Sequence, residues 1–160
     1  MMTDTGLKVR GPAEAIAWRA RQPGPVVFTN GVFDLIHPGH VELLEAARRE
    51  GTALIVGLNS DTSVRALNKG ADRPVTGEVA RARVLAGFAA VDCVVLFDQA
   101  TPMDLIQSLA PDVLVKGADY SRDSIVGGDW VESRGGRVVR VPLVGGFSTS
   151  SIVERLRASS

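Results

Sequence analysis

Val26-Val27-Phe28-Thr29-Asn30-Gly31-Val32-Phe33-Asp34-Leu35-Ile36-His37-Pro38-Gly39-His40 is the stretch whose reading decides the fold. An apolar, β-branched run enters a Gly-bearing loop, and Val41 to Arg49 then follows with helical periodicity, so the segment reads strand, loop, helix. A helix start of this kind is an anion cradle. Its first turn leaves backbone N–H groups unpaired, the dipole is positive there, and Gly39 sets no side chain in the way. His37 and His40 are the only histidines in the chain, and both fall at the mouth of this one helix. Asn30-Gly31 between apolar residues also fits a hairpin turn. Against that, Val32 to Ile36 lacks alternation and meets Pro38 within two residues.

Around this stretch the totals describe an ordinary folded domain. A chain of 160 residues with 45% hydrophobic and 22% charged content suits a single core, and the expectation is one domain over 1–160. Residues 1–24 are read as an arm packed on it: a frayed stretch to about residue 11, then a short helix from Pro12 to Ala20 closed by Pro23-Gly24-Pro25. Lys plus Arg equals Asp plus Glu at 18 each, which gives no broad basic surface for nucleic acid or acidic lipid. Cys93 stands alone in an apolar run, so neither an internal disulfide nor a cysteine zinc site is expected. Signal-peptide character and a membrane-length apolar run are both missing from the sequence, and the expected location is the cytoplasm.

Further strands are read at Ala53–Leu58, Cys93–Phe97, Asp112–Val115 and Arg137–Val141. Helices are read from about 39 to 50, from Asn59-Ser60-Asp61 to Leu67, at 77–89, at 103–110 with Thr101 as cap and Pro102 at its first position, at 121–134, and at 150–158. This alternation implies an α/β fold, an open Rossmann-like parallel sheet of five strands with helices on both faces. Ligands of such sheets sit beyond the carboxyl ends of the strands, where strand order reverses. Asn30-Gly31, Lys116-Gly117 and Gly145-Gly146 follow three of the strands and can share that face.

His37-Pro38-Gly39-His40 matches the HxGH signature of the nucleotidyltransferase superfamily of cytidylyltransferases and adenylyltransferases. Thr29 to Leu35, together with Lys116-Gly117-Ala118-Asp119-Tyr120, looks most like the heptose 1-phosphate adenylyltransferase branch, which makes ADP-heptose. The resemblance runs from about Val26 to Leu156 and implies a strand order of 3-2-1-4-5. It implies that His37 and His40 bind the nucleotide phosphates and stabilise the transition state at the α-phosphate, with Lys69 neutralising charge beside them. Thr29, Asn30, Gly31, Phe33, Gly39, Arg81, Lys116 and Asp119 fall at nucleotide-binding positions, and Ser148-Thr149-Ser150 resembles the second family signature at a helix start. Asp34, Asn59 and Asp61 are carried over to the acceptor substrate; for Asp34 a local turn hydrogen bond fits equally well.

The implied partners are ATP and a sugar 1-phosphate, heptose 1-phosphate by resemblance, with magnesium arriving on the ATP and no metal-holding protein residues. A homodimer and a separate heptose kinase supplying the substrate are also implied. Glycerol 3-phosphate cytidylyltransferases share HxGH but carry an Arg shortly before the Ser/Thr signature, where this chain has Pro142-Leu143-Val144-Gly145-Gly146. Another small phosphorylated substrate, or a nucleotide-binding regulator without turnover, are the alternatives.

Overall fold

The computed structural model describes residues 4–160. Five strands, β1 (Val26–Gly31), β2 (Ala53–Asn59), β3 (Cys93–Phe97), β4 (Val113–Gly117) and β5 (Arg137–Val141), form one sheet in the order β3-β2-β1-β4-β5. Every pairing is parallel, for example Phe28 against Ile55 and Leu114 against Val138. The central strands are apolar on both faces because both are covered. Val26, Phe28, Ile55 and Val95 point into one core, and Val27, Leu54, Val56 and Val94 into the other.

The first core is closed by α1 (Pro12–Ala20), α5 (Met103–Leu109) and α6 (Gly128–Ser133), and the second by α2 (Pro38–Arg49) and α4 (Glu78–Ala86). The short α3 (Asp61–Ala66) follows β2, and α7 (Thr149–Ala158) follows β5. Gly57 is where β2 meets the Phe28 ring: a Cβ there would lie 2.6 Å from Phe28 Cζ, so this packing requires glycine.

Several sequence expectations need correction. Residues 4–11 are not frayed: Thr5–Lys8 is a 3-10 turn, Val9 bridges Val94, and the Arg10 amide donates to Val94 O at 2.9 Å, so the arm adds a short parallel edge to β3. Two residues of pairing are too few to leave a period in the sequence. Residues 1–3 lie outside the described residues. Pro102 is itself the cap of α5, with no side-chain bond from Thr101, and the helix ends one residue early at Ala110 in the left-handed region. The stretch 121–134 is divided: Gly127 sits at φ +82°, which breaks it into a 3-10 turn at Arg122–Ser124 and α6. The expected helix at 77–89 stops at Ala86.

The order places the switch point between β1 and β4. Chain leaving β1 builds β2 and β3 on one side, then returns to build β4 and β5 on the other. A crevice therefore opens beyond the carboxyl ends of β1 and β4.

Candidate active site

That crevice holds a cavity of about 660 Å³. The loop after β1 supplies Asn30 to Asp34, the start of α2 supplies His37, Gly39 and His40, and the chain after β4 supplies Lys116, Gly117, Asp119 and Tyr120. Lys69 and Arg73 enter from the loop between α3 and α4, and Val141 to Ser151 close the remaining side.

The two histidines are fixed by the helix they begin. His37 is the N-cap of α2 and its Nδ1 accepts from the Gly39 amide at 3.1 Å; His40, three residues on, uses its own Nδ1 to accept from the His37 amide at 3.4 Å. This is a capping box built from imidazoles. A backbone amide always donates, so each Nδ1 is the acceptor and each Nε2 carries the proton of the neutral ring. The rings stack with centroids 3.8 Å apart, and Phe33 and Phe147 flank them at 5.2 and 6.4 Å. Burial lowers the pKa of His37, and burial with the charge of His37 holds His40 at about 4. At neutral pH the pair is two uncharged N–H donors.

Lys116 lies at the end of β4, donating to Asn30 O at 3.0 Å with its ammonium 4.8 Å from the centre of the Tyr120 ring. Burial pushes its pKa down to about 8; Asp119 opposes that shift and the positive charge of Lys69 adds to it. Lys69 is exposed on the cleft, with no ion pair among the described residues. Across the cleft, α7 begins with a second capping box, Ser148 Oγ accepting from the Ser151 amide at 3.0 Å. Thr149 Oγ1 reaches Leu35 O at 3.4 Å and docks this helix start on the loop that carries the histidines.

Five of the candidate residues fall elsewhere or are already engaged. Arg81 is 1% exposed and does not line the cleft: Nε donates to Thr76 O at 2.8 Å, one terminal nitrogen to Val32 O and Asn59 O at 2.7 and 2.8 Å, and the other to Asp61 at 2.7 Å. It is a brace tying the loop after β1, the end of β2 and the loop before α4 together, and Asp61 is its counter-charge rather than a substrate contact. Asp34 borders the cleft, but its carboxylate accepts from Arg73 Nε and from the amides of Val75 and Thr76, each at 2.8 Å. The expected local turn hydrogen bond is not what Asp34 makes: its partners lie 39 to 42 residues away, and it fastens the distant 73–76 turn. Thr29 is fully buried in β1, with no hydrogen-bond partner for its hydroxyl among the described residues.

Asn59 faces a separate, smaller cavity. Arg73, Leu43, Tyr120 and Phe147 line the main cleft without having been singled out as site residues. In sequence Arg73 is one more charge in a polar loop, and nothing there marks it as the buried partner of Asp34.

Among the described residues no three His, Cys, Asp or Glu side chains come together, and of the two carboxylates that line the cleft, Asp34 and Asp119, Asp34 accepts three hydrogen bonds from the 73–76 turn. The donor set fits a polyphosphate that carries its own cation.

An open parallel sheet with paired imidazole donors, two lysines and two helix starts at its switch point defines a Rossmann-like domain whose cleft is lined by groups that bind anions. The cytidylyltransferase-like family matches residues 28–154, and the chain belongs to that family. Among curated relatives, the bifunctional protein HldE of Gluconobacter oxydans is 53% identical over 163 residues, covering 99% of this chain and 33% of the relative. HldE of Magnetococcus marinus is 59% identical over 141 residues, with 88% and 28% coverage. The chain therefore spans about a third of the length of the curated relatives it matches. Among solved structures, the lipopolysaccharide core biosynthesis protein of Thermoplasma volcanium superposes with a TM-score of 0.63 at 25% identity, covering 76% of this chain and 97% of that one. Pantothenate synthetase from Thermus thermophilus shares the fold, with a TM-score of 0.58 at 18% identity.

Proposed function

We propose that the chain transfers an adenylyl group from magnesium-bound ATP to a heptose 1-phosphate, releasing pyrophosphate and ADP-heptose. A phosphate oxygen of the sugar attacks the α-phosphorus in line, the bond from that phosphorus to the bridging oxygen breaks, and pyrophosphate leaves with the electron pair. The nucleophile is already an anion at neutral pH, so no general base is required. Catalysis then reduces to positioning and charge stabilisation. His37 and His40 present Nε2–H donors held in one tautomer, Lys69 and Lys116 supply positive charge, and the amides opening α7 receive the outer phosphates. The single observation that carries this reading is the imidazole capping box facing two lysines across one cleft.

The heptose assignment rests on the identity to HldE and on the Lys116-Gly117-Ala118-Asp119-Tyr120 segment. A sugar kinase reaction must supply such a substrate. ATP as donor supports a cytoplasmic setting for the reaction; no helix among the described residues is long and apolar enough to cross a membrane. A homodimer follows from the resemblance and is checked by sedimentation equilibrium. The decisive assay is pyrophosphate release with ATP, CTP or GTP against heptose 1-phosphate and glycerol 3-phosphate, with His37→Ala alongside. Turnover with ATP and heptose phosphate, reduced about 10²–10³-fold in the variant, is the expected result. Turnover with another pair overturns the substrate, and ATP binding without any turnover overturns the reaction.

A further inference from the structure

Lys69 is exposed on the cleft and makes no ion pair among the described residues, so its own side chain does not hold it in place. The backbone around it does. Asn68 at φ +52° and Gly70 at φ +121° both stand in the left-handed region, so the chain reverses about Lys69. The Arg73 amide then closes the following turn on Gly70 O at 3.3 Å. This lysine turn has two attachments, on adjacent residues and to two different walls of the cleft. Arg73 pairs with Asp34 on the loop that carries the histidines, and Asp72 pairs with Arg157 in the last turn of α7.

The two attachments differ in kind. The side chains of Arg73 and Asp34 are 7% and 0% exposed, and breaking such a buried pair is costly. Those of Arg157 and Asp72 are 64% and 53% exposed, and a pair so open to water is weak, salt-screened and easily parted. The helix that carries Arg157 is itself lightly seated. Among the described residues α7 has none that is buried, and its side-chain hydrogen bonds to the rest of the molecule are Thr149 Oγ1 to Leu35 O near its start and Arg157 to Asp72 near its end. We propose that Arg157 is a positioning residue: by clasping Asp72 it draws the lysine turn toward α7, so that Lys69 and the amides opening α7 meet one polyphosphate together. The clasp opens and closes about the fixed Asp34–Arg73 pair. This rests on the adenylyltransferase reading in giving Lys69 and the α7 amides a polyphosphate to hold.

The test measures ATP affinity by calorimetry and kcat/KM by pyrophosphate release in Arg157→Ala, in Asp72→Ala, in the exchanged double variant Asp72→Arg with Arg157→Asp, and in Arg157→Ala combined with Lys69→Ala. The sign of the Asp72→Ala effect is decisive. If Arg157 acted only as a positive charge near an anion, removing the Asp72 carboxylate would strengthen ATP binding; a clasp is broken from either side. The expected result is a loss of ATP affinity of about 2–5-fold in each single variant with the melting temperature unchanged, and recovery in the exchanged pair. In the Lys69→Ala background, Arg157→Ala should cause little further loss. Wild-type affinity in both single variants, effects of opposite sign, or an undiminished loss in the Lys69→Ala background overturns the clasp and leaves the reaction standing. The expected binding pattern without pyrophosphate release by the wild type supports the clasp and overturns the reaction.

Discussion

Arg81 offers the sharpest separation between a structural and a ligand-binding role. Replacing it with Met keeps most of the side-chain volume and removes the guanidinium. Three backbone carbonyls (Val32, Asn59 and Thr76) and the Asp61 carboxylate lose their donor together, inside a region where Arg81 is 1% exposed. Breaking one side of a buried ion pair costs about 3–5 kcal/mol, and Asp61, being partly exposed, sets the expectation at the lower end. That is a large share of the roughly 5–15 kcal/mol that holds a domain together. For a chain of this size a loss of about 3 kcal/mol corresponds to a fall in melting temperature of roughly 6–12 °C. Urea denaturation followed by circular dichroism measures the loss, with Arg83→Ala as control: Arg83 makes one exposed bond to Thr5, and its removal should change stability by less than about 0.5 kcal/mol. A loss below about 1 kcal/mol in Arg81→Met, accompanied by a large drop in ATP affinity, would refute the brace and return Arg81 to the nucleotide site.

Three other outcomes follow from the same geometry. His40 has a native pKa of about 4 against its ordinary 6.5, so as pH falls the unfolded chain takes up the proton first. The native state keeps this contribution above pH 6.5 and loses it between about 6.5 and 4; His40→Gln, which keeps an N3 cap without titrating, should show a flatter stability profile over that range by urea denaturation, and an identical profile refutes the assignment. Lys116, held at about 8, predicts an alkaline fall in kcat/KM with a midpoint near that value, absent in Lys116→Arg; a rate that stays flat well past the midpoint in the wild type removes Lys116 from the mechanism. In Gly39→Ala the new Cβ would lie 2.9 Å from His37 Cε1, displacing the ring. Activity should fall about 10–100-fold in a pyrophosphate assay while stability changes by about 1 kcal/mol or less, and full activity refutes the positional role of His37.

The sheet was legible because its strands are buried on both faces and read as continuous apolar runs, as in Ala53–Leu58 and Cys93–Phe97. The histidines and the Gly-bearing loops were legible because their chemistry is local: cap, glycine and imidazole lie within a few residues of one another. What escaped is long-range. The Asp34–Arg73 pair joins residues 39 apart in sequence, and Arg81 reaches carbonyls on two loops and at the end of β2. A buried arginine and a solvated one look the same in sequence, because burial is decided by which loops fold over the side chain. The turn at Gly127 escaped for a different reason: a positive φ at one glycine divides a run that composition alone reads as one helix.

The chain uses one capping arrangement twice at the same cleft. His37 and His40 close the start of α2, and Ser148 and Ser151 close the start of α7, each pair at the N-cap and the third helical position. Serine suffices for the structural task, so capping does not explain histidine at the first site. A hydroxyl that accepts the capping bond ends at that oxygen. An imidazole that accepts through Nδ1 still carries a donor at Nε2 on the far side of a rigid ring, with its tautomer already chosen by the bond it has accepted. The stacked rings therefore convert the orphan amides of a helix start into two N–H donors set farther out in the cleft. Because the amides choose the tautomer in the free protein, the two donors are already oriented there, as the proposed transfer requires of groups that meet developing charge. The three-residue spacing of His37 and His40 is the N-cap to N3 spacing of a helix, and the motif at once begins the helix and arms the site.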